Sequence, residues 1–563
     1  MARTAEVLVQ VLESAGVEAA FGLPGGAISP VLDALLDHPK IRVVTTKHEA
    51  GAIFAAIGYA RATEKVAVVV VTSGPGILNT LTGLASAFAD GVPVLVLAGE
   101  VARSAQGKGG LQEGSSYALN VVASTRPVCK WAAEVPTSSA APHMIRRALE
   151  VAQTGRKGPV VLTLPLDISS QPVPVPAQFG AATQEHTLEP KAVRWAADAL
   201  TRSERRVIVA GSGVRFGEGP RLLRQVAERL GCPVITTPKA KGVFPESHPL
   251  ALGIFGIGGH PSSSEFLEEG VDTLLALGTS LGDLSTNGWS KLLKPRHTLI
   301  QVDIDGSQLG RGYAPQLAVE APAAAFLQAL LPLLPKKGRP VSYGLRRLQE
   351  PGVKEVGEEG HITPQRALWE LQHILPRDTI YTVDSGEHTL FALHYMSADR
   401  PDAVMTMLGV GAMGSSVPAA LGAKLGHPER SVAVLCGDGG FAMCAPELAT
   451  ATQHGLPMVV AVFNDGRLGM VEVGHRMIFG RSPDFGLEPV DVAGLGAALG
   501  ADTLTVTQPG EILAAASRLV GATRPLVIDI HIDRTESMPR NARTQKLAED
   551  AGWPGAEPPR SKS

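Results

Sequence analysis

Cysteine is scarce: Cys129, Cys232, Cys436 and Cys444 are the only four in 563 residues, with no CxxC pair and no metal-gathering spacing. That excludes a disulfide-stapled secreted domain and implies reduced, mostly buried thiols in a cytoplasmic protein. Neither sign of charge is in excess, because 51 Lys and Arg against 54 Asp and Glu leave a formal net charge of −3. Such a balance gives no reason to expect nucleic acid or an acidic membrane surface as partner. Long hydrophobic runs are missing too, and none reaches the roughly 18 residues of a membrane-crossing helix. The opening MARTAEVLVQVLESAG carries acids inside an amphipathic helical pattern and does not read as a signal peptide. A complete GxGxxG is also absent, since GSGVRF has Phe216 where the last glycine belongs. We read that loop as structural, with a nucleotide site as the minor alternative.

What is present is a repeated strand–turn–helix rhythm in three blocks, predicting an α/β protein of three doubly wound parallel sheets. The first block, 1–170, has a helix at 4–15 and the strands VEAAFG, IRVVTT, VAVVVV, VPVLVLAGE and GPVVLTLPLDI. A helix is expected to start at Asn79, after the TSGPG turn. The second block spans 190–334, the third 362–534, and 535–563 reads as a polar, Pro-rich, weakly packed tail. Pro-rich or charged linkers at 171–191 and 334–360 separate the blocks. The first and third share length and rhythm, which suggests a duplicated architecture without a close sequence repeat.

Two stretches in the third block concentrate the chemistry. VAVLCGDGGFAM is an apolar run that stops at Gly437-Asp438-Gly439-Gly440, and AVFNDGRLGMV is another that ends in Asn464-Asp465-Gly466. The 27-residue step from Asp438 to Asp465 matches a strand–helix–strand unit. Adjacent parallel strands would then bring both carboxylates to the sheet's carboxyl edge, where open α/β sheets bind ligands. Glycines there let a backbone approach a phosphate, and hard oxygen ligands beside a diphosphate suit Mg²⁺. Each turn alone is compatible with a simple tight turn; the pair at this spacing favours a metal–diphosphate site.

With these motifs the chain resembles the acetohydroxyacid (acetolactate) synthase family of thiamine-diphosphate-dependent enzymes, across all three blocks. The family's GDG…NN signature appears as GDG at 437–439 and Asn464-Asp465, with Asp in place of the second Asn. The resemblance implies Mg²⁺ ligation by Asp438, Asp465 and the main-chain carbonyl of Arg467, with Gly437, Gly439 and Gly440 around the diphosphate. It makes Glu49, in HEAGA, the catalytic carboxyl that hydrogen-bonds the aminopyrimidine and promotes loss of the C2 proton. A surface helix glutamate is the bland alternative, but the small residues that follow (Ala50, Gly51, Ala52, Ala55, Ala56) indicate close packing on a partner helix.

Further matches extend the cofactor site to Pro75 and Asn79 in TSGPG…N, to Gly386, Glu387 and His388 in DSGEH, and to Gly411 and Met413 in GAMG. Leu468, Gly469 and Met470 match the family's LGM turn. Glu387 stands where the family has Gln. Gly26 and Ala27 in PGGA, together with Leu111 and Gln112, match substrate-channel loops. Gly474 occupies the position of a Trp that selects 2-oxobutyrate in anabolic members, so that acceptor preference is not expected.

The implied reaction is decarboxylation of a 2-oxo acid such as pyruvate, followed by carboligation to a second carbonyl. Another thiamine-dependent carboligase or lyase, a 2-oxo acid decarboxylase, or a catalytically silent partner subunit are the alternatives. The segment GTSLGDLST (278–286) lacks both arginines of the family's GxRFDDR, so no tightly bound FAD is expected. The half-sites lie on different domains, so the resemblance implies a homodimer or homotetramer with active sites at the subunit interface.

Overall fold

The computed structural model describes residues 2–175, 188–336 and 341–539 except 484, 486 and 487, together with 546, 549, 550 and 552. Three six-stranded parallel sheets account for its framework. The first runs Arg42–Thr45, Ala19–Gly22, Ala67–Val71, Val94–Glu100, Val160–Pro165, Trp131–Glu134. The third runs Val404–Thr406, Ile380–Val383, Val432–Gly437, Val459–Asn464, Leu526–His531, Asp502–Val506. Numbered in chain order within each sheet, both read 2-1-3-4-6-5, whereas the central sheet (residues 206–320) reads 3-2-1-4-5-6. The duplication suspected from rhythm is therefore one of topology. The inner strands are continuous apolar runs because helices cover both faces; Ala67–Val71 and Val459–Asn464 are buried throughout.

Four strands of these three sheets have no counterpart in the sequence reading: Trp131–Glu134, Ala251–Ile254, Leu317–Glu320 and Asp502–Val506. All four are sheet edges. The helix expected from Asn79 also begins earlier. Pro75–Leu78 forms a short helix with Pro at its first position, Asn79 is its C-cap, and Leu81–Asp90 follows. Proline's fixed φ and missing N–H suit that first position. In the expected linker at 171–191, Pro172–Val173 pairs antiparallel with Ala2–Arg3, while 176–187 lie outside the described residues. Of the expected tail, 535–563, only 535–539, 546, 549, 550 and 552 are among the described residues.

The first and third domains are joined by the helices Glu49–Thr63 and Ser416–Gly426. Each follows the second strand of its sheet, so topologically equivalent helices face one another. Their glycines interlock reciprocally. A Cβ on Gly58 would lie 2.0 Å from the Ala419 carbonyl oxygen, and one on Gly422 would lie 1.8 Å from that of Ala55. Backbone meets backbone here, which only glycine permits. This buries the helix from Gly51 through Ala60 and fixes the position of its first residue, Glu49.

Candidate active site

In a 2-1-3-4-6-5 sheet, strands 1 and 3 lie side by side with their connections leaving in opposite directions, and a crevice opens at their carboxyl ends. In the first sheet that point lies between the PGGA loop after Ala19–Gly22 and the TSGPG turn after Ala67–Val71. In the third it lies between DSGEH after Ile380–Val383 and GDGG after Val432–Gly437. The quoted motifs thus occupy equivalent places in the duplicated sheets.

Around the first crevice, Glu49 is only 6% exposed, and its Oε2 accepts a hydrogen bond from Asn79 Nδ2 at 3.0 Å. The bland surface reading of Glu49 does not hold. Gly76 leaves the space beside Oε1, from which a Cβ there would be 3.6 Å away. Gln112 has φ +61°, and its main chain backs the turn at Gly74; neighbouring Leu111 is 88% exposed. Gly26 and Ala27 form a 3₁₀ turn pressed against Gly99, where a Cβ would meet the Ala27 carbonyl carbon at 2.5 Å.

One functional contributor escaped the sequence reading. Buried Glu447, in the third domain, accepts hydrogen bonds from the Lys47 and His48 amides at 3.1 and 3.2 Å. A Cβ on Gly51 would overlap it. Burial pushes the Glu447 carboxyl up while these donors and Thr450 pull it down. It anchors the chain entering Glu49 to the domain that carries Asp438. Only the helix-to-helix proximity reveals this.

Around the second crevice, Gly437 is level with Phe463 in adjacent parallel strands, so Asp438 and Asp465 leave neighbouring strand ends. Both are buried, at 7% and 9% exposure. Asn464 does not face the site but ties the turn down, its Nδ2 donating to Asp529 at 2.9 Å and its Oδ1 accepting from the Gly466 amide at 3.2 Å. Glu387 begins the Glu387–Tyr395 helix and converges on the same place. A Cβ on Gly469 would come within 2.2 Å of Glu387 Oε2 and 2.7 Å of Asp465 Oδ2. Gly439 lies between Met413 Cε and Leu468 Cδ2, each 3.4 Å from where its Cβ would be. Asp384 shapes this cradle by accepting from the Gly414 and Ser415 amides at 2.8 and 3.2 Å, and Gly440 leaves room for its carboxylate. Gly411, at φ +73°, turns the chain into Met413. Met470 and Gly474 lie on the Gly469–Phe479 helix, and Gly474 faces open space.

The charges are crowded. Burial first, and the Asp465 charge second, push Glu387 up to about 7 and Asp438 up to about 6. Burial also raises Asp465, against the pull of Arg467. The Arg467 guanidinium is 2.9 Å from Asp465, 4.0 Å from Glu387 and 3.7 Å from Glu472. His388, by contrast, is neutral: burial lowers it to about 4, and its Nε2–H donates to the Asp384 carbonyl at 3.0 Å. With that proton committed, Nδ1 can only accept.

Glu387 and Asp465 converge at Gly469, and Asp438 leaves the adjacent strand end. Acids walled by glycines in this way fit a divalent cation beside a phosphate, since the cation would relieve the repulsion and the glycines leave room. Among the described residues no group of three His, Cys, Asp or Glu side chains forms a metal site, so other oxygens, from the Arg467 carbonyl, a phosphate or water, would have to complete the shell. Two cavities accompany these features. One of about 300 Å³ adjoins Arg467, Leu468, Glu472 and Phe485. Another, of about 710 Å³, lies away from the carboxylates, at the central sheet's own crevice between Ser212 and Thr279, with Arg61 and Arg215 in its wall. No hydrogen bond or ion pair among the described residues links Glu49 or Asn79 to Asp438, Asp465 or Glu387.

Comparison with known proteins agrees with this geometry. Residues 2–119 match the N-terminal TPP binding domain of thiamine pyrophosphate enzymes, 193–330 their central domain and 384–530 their C-terminal TPP binding domain. The chain is 33% identical over 557 residues to a probable acetolactate synthase large subunit of Methanocaldococcus jannaschii, covering 95% of this chain and 93% of that one. It is 31% identical over 552 residues to the acetolactate synthase isozyme 3 large subunit of Escherichia coli, covering 94% and 95%. To the acetolactate synthase of Mycobacterium leprae it is 34% identical over 492 residues, covering 84% and 77%. With an N-terminal and a C-terminal TPP binding domain and relatives at 31–33% identity over most of its length, the chain belongs to the acetolactate synthase family of thiamine-diphosphate-dependent enzymes.

Proposed function

We propose that this enzyme decarboxylates pyruvate and joins the two-carbon unit to a second carbonyl compound, with 2-acetolactate as product when pyruvate is also the acceptor. The observation that carries this is the buried Glu49 carboxylate, held by Asn79 at one oxygen with the other left beside Gly76. Bound thiamine diphosphate supplies the carbanion equivalent and electron sink that 2-oxo acid decarboxylation needs. Glu49 holds and exchanges the proton at the aminopyrimidine nitrogen, while Pro75 and Asn79 fix the turn beside it. Asp438, Asp465 and the Arg467 carbonyl would hold Mg²⁺. Gly386, Glu387, His388 and Gly437–Gly440 would hold the diphosphate, and Met413 and Leu468, which flank Gly439, would support the rest of the cofactor. Gly26, Ala27, Leu111, Gln112 and Gly474 line the approach of substrate; the open space at Gly474 imposes no bulky selector on the acceptor.

Within one chain the two half-sites have separate hydrogen-bond networks, which supports a homodimer or homotetramer whose active sites pair the Glu49 half of one copy with the Asp438 half of another. Exposed apolar residues beside each half, Leu111 and Tyr117 on one and Met443 on the other, suit burial by a second copy. We place the enzyme in the cytoplasm, without tightly bound FAD. Its four cysteines are free and buried, and among the described residues no helix is long and apolar enough to cross a membrane.

The test is incubation with pyruvate, thiamine diphosphate and Mg²⁺ against a panel of oxo acid and aldehyde acceptors. Acetolactate, scored as acetoin after acid, supports the reading; free acetaldehyde alone makes the enzyme a decarboxylase. A visible flavin spectrum in the purified protein would overturn the FAD part.

A further inference from the structure

We propose that the Arg467 guanidinium is a built-in counter-cation that occupies the carboxylate cluster when the metal is absent and must leave Asp465 for the metal to bind. The inference rests on the assignment of Asp438 and Asp465 to the metal. Its basis is charge and position. The Gly469 contacts show the Glu387 and Asp465 carboxylates converging on one point. Arg467 donates its Nε–H to Asp465 Oδ2, the oxygen that faces this point, while its terminal nitrogens lie 4.0 Å from Glu387 and 3.7 Å from Glu472. Its side chain is 19% exposed and borders the 300 Å³ cavity, which Glu472 and Phe485 also line. The guanidinium therefore has somewhere to go. Glu472 remains as its anchor there, while Arg476, paired with Glu472 on the next helical turn, keeps that acid in place. The same residue thus offers its carbonyl to the metal and withdraws its side chain from the metal's ligand.

Two cations cannot share one carboxylate cluster without mutual repulsion, so the internal cation lowers metal affinity in the cofactor-free enzyme by a coupling factor. The paired acids raise metal affinity and Arg467 restrains it, keeping the site reserved for metal that arrives with diphosphate.

The experiment is Mn²⁺ binding to cofactor-free, full-length enzyme, read by the electron paramagnetic resonance of free Mn²⁺. Arg467→Gln should bind Mn²⁺ roughly tenfold tighter than wild type, and Arg467→Lys, which keeps the cation, should not. Equal or weaker binding by Arg467→Gln overturns the proposal. A second arm uses wild-type protein only. Mg²⁺ should increase the rate at which phenylglyoxal modifies Arg467, read by peptide mass; unchanged or increased protection overturns the release of the side chain. Asp438→Ala separates the two readings. If it binds Mn²⁺ as tightly as wild type, the metal assignment itself fails. If it binds more weakly while Arg467→Gln is no tighter than wild type, only the counter-cation fails.

Discussion

Gly422→Ala places a carbon 1.8 Å from the Ala55 carbonyl oxygen, where about 3.3 Å is an ordinary close approach. The two helices would have to separate by roughly 1.5 Å at their crossing, and neither wall can rotate aside because both are backbone. Overpacking of this kind costs about 1–3 kcal/mol, and the absence of a flexible neighbour puts this site at the upper end. Replacing a helical glycine by alanine returns about 0.5–1 kcal/mol. The net effect expected is a destabilisation of about 2 kcal/mol. Gly58→Ala should behave alike, since its Cβ would lie 2.0 Å from the Ala419 oxygen. The double variant should cost clearly less than the sum, because one separation of the helices relieves both clashes. Gly474→Ala is the control: it lies in a helix with no atom within 4 Å of the new carbon, so stability should be unchanged or slightly higher. Urea unfolding followed by circular dichroism gives the stabilities, and thiamine diphosphate affinity should fall with them, because the displaced helix begins at Glu49. A Gly422→Ala protein as stable as wild type would refute the argument that backbone contact fixes this helix.

Glu49→Gln should abolish pyruvate turnover while leaving Mn²⁺ affinity in the presence of thiamine diphosphate unchanged; unchanged turnover removes the role assigned to that carboxyl. Asp438→Ala should eliminate cofactor-dependent activity and metal binding together, checked by activity and Mn²⁺ titration. Binding of Mg²⁺ and thiamine diphosphate should weaken as pH falls through 7 towards 6, because Glu387 and Asp438 take up protons at about 7 and about 6 and the metal must displace them. For the same reason these two carboxyls lower the stability of the cofactor-free protein as pH rises. Their folded values lie above the ordinary carboxylate range, so the folded state holds more protons than the unfolded one up to about pH 7. Glu447→Ala should leave the Lys47 and His48 amides without a protein acceptor at a cost of about 1–3 kcal/mol, read by the same urea unfolding.

Most strands legible in the sequence are buried inner ones, where helices on both faces demand uninterrupted apolar runs such as AVVVV and VVAVFN; the edge strand Arg42–Thr45 is an exception, read from its β-branched run. Trp131–Glu134, Leu317–Glu320 and Asp502–Val506 were not legible because an edge strand is partly exposed and its sequence mixes polar and apolar residues. Ala251–Ile254 is buried but only four residues long and carries a glycine at φ +77°, which hides its pattern. The motif residues were readable for a local reason: turns at strand ends need glycine, and a carboxylate kept beside such a turn has few structural uses. Glu447 was unreadable for the opposite reason, since its role is defined by a chain 400 residues away.

By itself the sequence determined the class of fold, the acid-bearing turns and the small-residue face of the Glu49 helix, because each follows from contacts within a few tens of residues. Only the tertiary structure decided that the outer sheets share one strand order, that Gly58 and Gly422 meet backbone to backbone, and that Arg467 lies among three carboxylates. These depend on which distant surfaces come within a few ångströms, and no local pattern along a chain records that distance.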